Sequence, residues 1–381
     1  MRVLVLASDA FGARGGIPKF NRDFLRALLT HPACSEAVAI PRHMPNPAVD
    51  LPSGLVYVTS GLDGKLSYIA AVLRTVHRSP AFDLIICGHI NLLPISFLLR
   101  LWVRAPIVLV IHGIEAWKPT NRLTVDYLIR GISAFISVSQ LTKQRFLEWT
   151  KLDESKGFLL PNSIEQAHFS PGPKSKALID RYGLVGKTVL MTLGEMSSYE
   201  RHKGFDGVLE VLPILSKEIP NVVYLMAGDG PDRQRLERKT RSLGVERRVV
   251  FAGFVPEAEK VDHYRLADAY VMPSRGEGFG IVCLEALACG VPVVASKVDG
   301  SREAVRDGTL GILVDPSNQE DVKAGILKAL NRPRGVVPQG LSYFSHNNFE
   351  RRQHNLIEVL SGRGRQQKTR SEESVFEDFS E

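Results

Sequence analysis

The sequence predicts an α/β protein with two doubly wound parallel sheets, one in each half of the chain. Three observations carry this. Short apolar, β-branched runs recur along the chain, separated by amphipathic stretches of helical length. These runs are apolar throughout rather than alternating, as strands covered on both faces are. The chain has 381 residues, more than one core usually serves, and Pro171-Gly172-Pro173 breaks it between the two sets.

In the first half the strand runs include "RVLVLAS", "LVYVTS", "DLIICGH", "IVLVIHG" and "AFISVS"; in the second, "KTVLMTLGE", "NVVYLMAGD", "RVVFAGF", "AYVMPS" and "VPVVAS". The linker "HFSPGPKSKALIDRYGL" sets a domain boundary near residue 170, giving domains over 1–170 and 171–345. After the last strand, "GILVDP", a helix is expected around 318–331. "NRPRGVVPQG" then breaks the chain, and "SHNNFERRQHNLIEVL" has the apolar spacing of a final helix over 346–361, crossing back to the first domain. The tail, 362–381, is basic and then acidic with little to bury, and is expected to be disordered.

Composition narrows the class. At 44% hydrophobic and 23% charged, the chain reads as an ordinary soluble globular protein. The start, "MRVLVLASDAFGARGG", reads as a first strand rather than a signal peptide. No apolar run approaches the roughly 20 residues of a membrane span. Cys34, Cys87, Cys283 and Cys289 show no metal spacing and read as buried thiols of a reducing cytoplasm. The net charge of +7 resides in the first half: residues 1–160 hold 18 Lys and Arg against 11 Asp and Glu, and the remainder balances. A basic face attracts nucleic acid, anionic lipid or an acidic small molecule. The aromatic–basic patterning of a nucleic-acid binder is missing.

Ligands of open parallel sheets bind beyond the carboxyl ends of the strands. There, "EGFGIVCLEALACGVPVVAS" poses a chemical question: Glu285 stands among Ile281, Val282, Leu284, Ala286 and Leu287. A buried carboxylate needs a partner. Read as strand, glycine turn and helix ended by Gly290, the segment offers free N–H groups at the helix start. Glu277 sits in the turn and Glu285 two helical turns in; a separation of eight residues is about 80° around a helix, so both could face one ligand rich in hydroxyls. The alternative is an exposed Glu277 and a Glu285 paired with an arginine.

The segment "PSRGEGFGIVCLEALACGVPVVAS" closely resembles the glutamate–seven–glutamate signature of family-4 retaining glycosyltransferases. That resemblance implies the GT-B fold, two Rossmann-like parallel-sheet domains facing across a cleft. It also implies that Glu277 and the amides of Gly278, Phe279 and Gly280 hold the donor sugar, and that Glu285 holds the ribose hydroxyls. "MAGDGPDRQRLE", "LPNSIEQAHFSP", "VSQLTKQRF" and "GSREAVRDGTLGILVDP" follow the same family's order. "RVVFAGFVP" resembles its nucleobase-receiving segment, which makes Phe254 and Val255 candidates. "RGGIPKFNRDF" resembles its glycine turn, where Gly15 and Gly16 let backbone approach a phosphate; Pro18 suits the first turn of a helix. "IHGIEAW" resembles its histidine-bearing strand end, which sets His112 beside the transferred sugar. The likeness runs from about residue 2 to residue 361.

One departure stands out. Where the family often carries glycine–arginine followed by a lysine, this chain reads "LGEMSSYERHKGFD". Glu195 occupies the arginine's place, and a carboxylate cannot grip a diphosphate of about two negative charges. Arg201 and Lys203 are therefore expected to form the clamp, with Glu195 turned aside or paired with Arg201.

The expected activity is metal-independent, retaining transfer of a hexose from a UDP-, GDP- or ADP-sugar to a glycan or lipid-linked acceptor, as in cell-surface polysaccharide biosynthesis, with no cofactor. The resemblance implies same-face attack, the leaving phosphate helping to take the acceptor proton, with domain closure excluding water. No D-x-D, H-E-x-x-H, Walker or G-x-G-x-x-G pattern occurs. The alternatives are a catalytically inactive nucleotide-sugar-binding protein, which Glu195 favours, or another GT-B enzyme, an epimerase or phosphorylase. His89 ends a strand on the acceptor side. The stretch "INLLPISFLLRLWVRAP", residues 90–106, reads as a buried helix or as a membrane-surface helix with Arg100 and Arg104 toward anionic lipid. The second reading keeps a peripheral place on the inner face of the membrane open for a cytoplasmic enzyme.

Overall fold

The structure, a computed structural model, describes residues 1–79, 81–198 and 201–362. The tail expected to be disordered lies, from residue 363 on, outside the described residues. The chain forms two compact units: Met1–Val138 with Thr142–Pro161 and the segment from His346, and Ser139–Leu141 with Asn162–Ser345.

The first unit holds a seven-stranded sheet of β1 (Arg2–Ala7), β2 (Glu36–Pro41), β3 (Leu55–Tyr57), β4 (Leu84–Cys87), β5 (Ile107–Ile111), β6 (Ala134–Ser137) and β7 (Gly157–Leu159). Their order is β3-β2-β1-β4-β5-β6-β7, and every pairing is parallel. β2 and β7 add to the runs named from sequence; one opens on a glutamate and the other has three residues, so neither stands out as an apolar run. Leu4, Leu6, Ile85, Leu109 and Phe135 project from the strands into a core closed by Val72, Leu93, Ile129 and Phe146.

The second unit holds six parallel strands: β8 (Thr188–Leu193), β9 (Val222–Ala227), β10 (Val249–Gly253), β11 (Ala269–Met272), β12 (Val293–Ser296) and β13 (Ile312–Val314), in the order β10-β9-β8-β11-β12-β13. Leu190, Tyr224, Met226, Val271 and Val294 pack under Val208, Leu212 and Ile326. Strand order therefore reverses beside β1 in one sheet and beside β8 in the other. Such reversals open the crevices in which doubly wound sheets bind ligands.

Apart from the short segment Ser139–Leu141, the chain passes from one unit to the other at Pro161–Asn162 and at Ser345–His346. Residues 162–173 pack on the second unit: Phe169 is buried, and Arg265 donates to the Ser170 carbonyl at 3.0 Å, its guanidinium lying where a Gly172 side chain would be. The helix His346–Leu360 packs on the helix Gly16–Thr30 of the first unit. Phe349 meets Phe20 edge-on at 5.8 Å, and Gln353 donates to the Phe24 carbonyl at 2.8 Å.

Residues 90–101 form a helix Leu93–Leu98 with a tight turn at each end. Ile90, Leu93, Ile95 and Leu99 are buried, as the core reading expected, while Leu98, Leu101 and Trp102 stay exposed. Arg100 lies over the Phe97 ring and donates to the Gly131 carbonyl at 2.7 Å. All four cysteines are free thiols. Cys87, Cys283 and Cys289 are buried; Cys34 is only partly so, a correction to the expectation of four buried thiols, because it follows the helix in a surface turn. No described helix is long and apolar enough to cross a membrane.

Candidate active site

In the second unit, β11 runs into the turn Pro273–Gly280 and the helix Ile281–Ala288. Gly280 caps the helix start at φ +84°, and Gly290, at φ +69°, ends it. Glu277 thus precedes the helix rather than lying on it. Glu277 lies in the turn and Glu285 in the helix, as the sequence reading expects; the helical angle of about 80° does not relate them, because residues 277–280 are turn.

The turn is held from three sides. Asp299, fully buried, accepts from the Glu277 N–H at 2.9 Å, and Gly300 donates to the Glu277 carbonyl at 2.8 Å. A Cβ on Gly300 would lie 2.0 Å from the Gly278 carbonyl oxygen. The His202 ring lies against Gly276, where a Cβ would lie 2.7 Å away, and its carbonyl accepts from the Arg275 N–H at 2.7 Å. Lys203 Nζ sits 2.6 Å from Glu277 Oε2. Burial pushes the Glu277 carboxyl up, but Lys203, His202 and the Gly280 amide outweigh it and hold the group below its usual range, and so ionised. The Phe279 ring is buried edge-on against Phe344 at 5.6 Å, so it anchors the turn and leaves only its backbone for a ligand.

Glu285 is 2% exposed, and its partners are not the arginine considered from sequence. Lys260 Nζ lies 2.7 Å from Oε1, and the Tyr264 hydroxyl donates to Oε2 at 2.6 Å. Both come from the helix Glu257–Leu266, which follows Phe254 and Val255 at the end of β10. The Phe254 side chain is exposed.

The loop after β8 lies on the loop after β9, and glycine permits the contact. A Cβ on Gly228, at φ +123°, would fall 1.9 Å from the Gly194 carbonyl oxygen; one on Gly230 would fall 2.5 Å from that of Met196. Glu195 is exposed. Arg201 is also exposed and approaches Asp232 at 3.4 Å, not Glu195. The two cations expected to clamp a diphosphate thus each lie against a carboxylate, Asp232 or Glu277.

In the first unit, the Asp9–Gly15 loop follows β1. Asp9 accepts from the N–H groups of Ala10 and of Gly12 (3.1 Å), and Asn21 donates to its carbonyl at 2.6 Å. Arg22 donates to the carbonyls of Ala10 and Ala13 at 2.7 and 3.0 Å. This leaves Gly15, at φ +108°, and Gly16 exposed, with nothing within 4 Å of a Gly15 Cβ. His112 ends β5 and His89 follows β4, its neighbour in the sheet. His112 is 9% exposed; its Nε2 lies 3.2 Å from the Gly88 carbonyl, and its N–H donates to Glu115 at 2.6 Å. His89 Nδ1 accepts from the Asn91 N–H at 3.1 Å. Burial lowers both imidazoles, against the opposing pull of Glu115, and favours their neutral forms.

Asp9, Arg22, His202, Lys260, Tyr264 and Asp299 were not singled out from sequence. A polar residue just past a strand is a weak pointer to Asp9 and Asp299. Lys260 and Tyr264, four apart on a helix whose opposite side is charged, carry no pattern of their own. Among the described residues, no three His, Cys, Asp or Glu side chains gather as a metal site would need.

Residues 189–342, which contain all of these second-unit groups, match the family of glycosyl transferases group 1. The chain is 32% identical, over 267 residues, to a GDP-mannose-dependent alpha-(1-6)-phosphatidylinositol monomannoside mannosyltransferase of Mycolicibacterium smegmatis, covering 66% of this chain and 69% of that protein. The chain belongs to the glycosyl transferases group 1 family. This glycosyltransferase is also 32% identical, over 276 residues, to a phosphatidyl-myo-inositol mannosyltransferase of Mycobacterium tuberculosis, at 70% and 69% coverage. Its fold is that of Anabaena HepE, solved in complex with UDP and glucose, with a TM-score of 0.72 at 21% identity over 94% of this chain and 99% of that one. The GT-B architecture implied by the glutamate–seven–glutamate resemblance is therefore the architecture of this glycosyltransferase.

Proposed function

We propose that this glycosyltransferase transfers a hexose, with retention and without a metal, from a nucleotide-diphosphate sugar to a lipid-linked glycan acceptor. The observation that carries this is the braced turn 276–280, which presents an ionised Glu277 against Lys203 at a helix start. The names of its mannosyltransferase relatives make GDP-mannose the first donor to try and a phosphoinositide glycan the first acceptor.

In this reading Glu277, with the Gly278, Phe279 and Gly280 backbone, holds the donor sugar. Glu285 takes the ribose, and the backbone of Phe254 and Val255 takes the base. Arg201 and Lys203 stabilise the diphosphate; Lys203 can do so while still touching Glu277, since an ammonium has three donors. Within the first unit, the ligand contacts that the resemblance implies are Gly15, Gly16 and His112. The bond from the anomeric carbon to the phosphate oxygen breaks. The acceptor oxygen bonds to the same face of that carbon, and its proton passes to the departing phosphate. Charge preorganised around the leaving group is commonly the largest catalytic term.

We further assign a peripheral place on the inner face of an anionic membrane. The basic first unit supports it, as do exposed Leu101 and Trp102; Trp102 lines a cavity of about 300 Å³ with Leu73, Arg74 and His77.

The test is transfer from GDP-mannose and UDP-glucose to phosphoinositide mannosides in vesicles, with and without EDTA, reading anomeric configuration by NMR. Retained configuration with EDTA present supports the reading. Inversion or loss of activity with EDTA overturns the mechanism, and donor binding without turnover would make the protein a nucleotide-sugar-binding protein.

A further inference from the structure

Glu285 raises a problem that its ligand role alone does not answer. A carboxylate this buried needs a counter-charge, and among the described residues its ion pair is with Lys260. The surrounding groups do not help. Burial holds the Tyr264 and Tyr270 hydroxyls and the Cys283 thiol well above their ordinary values, and pushes Cys289 up to about 12, so all four are neutral near pH 7. Arg265 and Asp262, which both act on Cys289, pair with each other at 3.2 Å, and Glu277 is matched by Lys203. Glu257, 3.7 Å from Lys260, adds another negative charge.

The stoichiometry is specific. An ionised carboxylate offers about four acceptor positions and no donor. Lys260 occupies one on Oε1 and Tyr264 one on Oε2. About one position per oxygen remains, which matches the two hydroxyl donors of a vicinal diol. A protonated carboxyl would lose that match, because one oxygen would become a donor.

We propose that Lys260 is a positioning residue for donor recognition: with Tyr264 it fixes Glu285 as an acceptor-only carboxylate and makes the site selective for ribonucleotides over 2′-deoxyribonucleotides. This rests on the reading of Glu285 as the ribose-binding group. Lys260 acts through Glu285, so its loss shows in donor affinity more than in the rate of the chemical step.

The experiment titrates the full chain with GDP, UDP and 2′-deoxy-GDP by calorimetry at pH 7, for wild type, Lys260→Met, Lys260→Arg and Glu285→Gln. Lys260→Met is expected to weaken ribonucleotide binding about tenfold or more at pH 7, the scale of a charge-assisted hydrogen bond. It should also lose discrimination against the deoxynucleotide, and donor KM should rise more than kcat falls. Lys260→Arg should restore part of the binding, and this arm decides the matter if the methionine variant folds poorly. Wild-type affinity and discrimination in Lys260→Met, with Glu285→Gln impaired, would overturn the proposal and leave the donor site standing. Normal binding by Glu285→Gln, or no nucleotide binding by wild type, would overturn the donor-site reading and the proposal with it.

Discussion

Lys203 Nζ and Glu277 Oε2 are 2.6 Å apart, joining the loop after β8 to the turn after β11. The pair gives the turn its charge state and leaves a cation beside the carboxylate proposed to hold the sugar. Glu277→Gln keeps the shape and removes the charge. It should lower kcat about 100-fold or more, the scale of losing one preorganised electrostatic group, with little change in Tm. Steady-state kinetics checks this; an unchanged kcat would remove Glu277 from the catalytic assignment.

Gly300→Ala should damage the same turn without touching a ligand. Its Cβ would fall 2.0 Å from the Gly278 carbonyl oxygen, which is backbone and cannot swing away. A cost of about 1–3 kcal/mol is expected, as for overpacking, together with weaker nucleotide-sugar binding. Denaturant unfolding and calorimetry read the two effects. Wild-type values in both would show that the turn yields freely.

Acidification should destabilise the first unit through His89 and His112. Burial sets both imidazoles below the ordinary value of 6.5. The unfolded chain therefore takes up protons that the folded one refuses. The stability this supplies is complete above about pH 6.5 and is lost as pH falls toward the folded values. Tm should drop between pH 7.5 and 5.5, and His112→Gln should flatten that slope. An identical slope in the variant would assign the pH dependence elsewhere.

Phe349→Ala tests how the last helix is held. Phe349 is buried against Phe20, whose ring also meets His112 edge-on at 5.2 Å. The cavity should cost about 3–5 kcal/mol, measured by urea unfolding. A loss under 1 kcal/mol would mean that the helix contributes little to the first unit.

Glu195 stands where the family resemblance implies a cation. It is exposed and not paired with Arg201, so Glu195→Ala removes repulsion without removing support. Nucleoside-diphosphate affinity should rise about two- to fivefold at low salt and less at high salt, as for an exposed charge. A fall in affinity would show that the carboxylate assists binding.

Much of this protein could be read from residue order alone. Runs such as "VLVLA" and "VVYLMA" announce strands covered on both faces because such strands need no polar side, and Gly280 and Gly290 mark a helix's ends because the turns there need positive φ. The glutamate–seven–glutamate spacing is local as well, so the turn and both glutamates were visible. Partnership was not. Lys260 and Tyr264 reach Glu285 from more than 20 residues away, Asp299 braces Glu277 from beyond a strand, and Arg201 chose Asp232 over the nearer Glu195. Which charges meet depends on how parallel strands order themselves in a sheet. That order is set by packing between distant segments, and no short stretch of the chain records it.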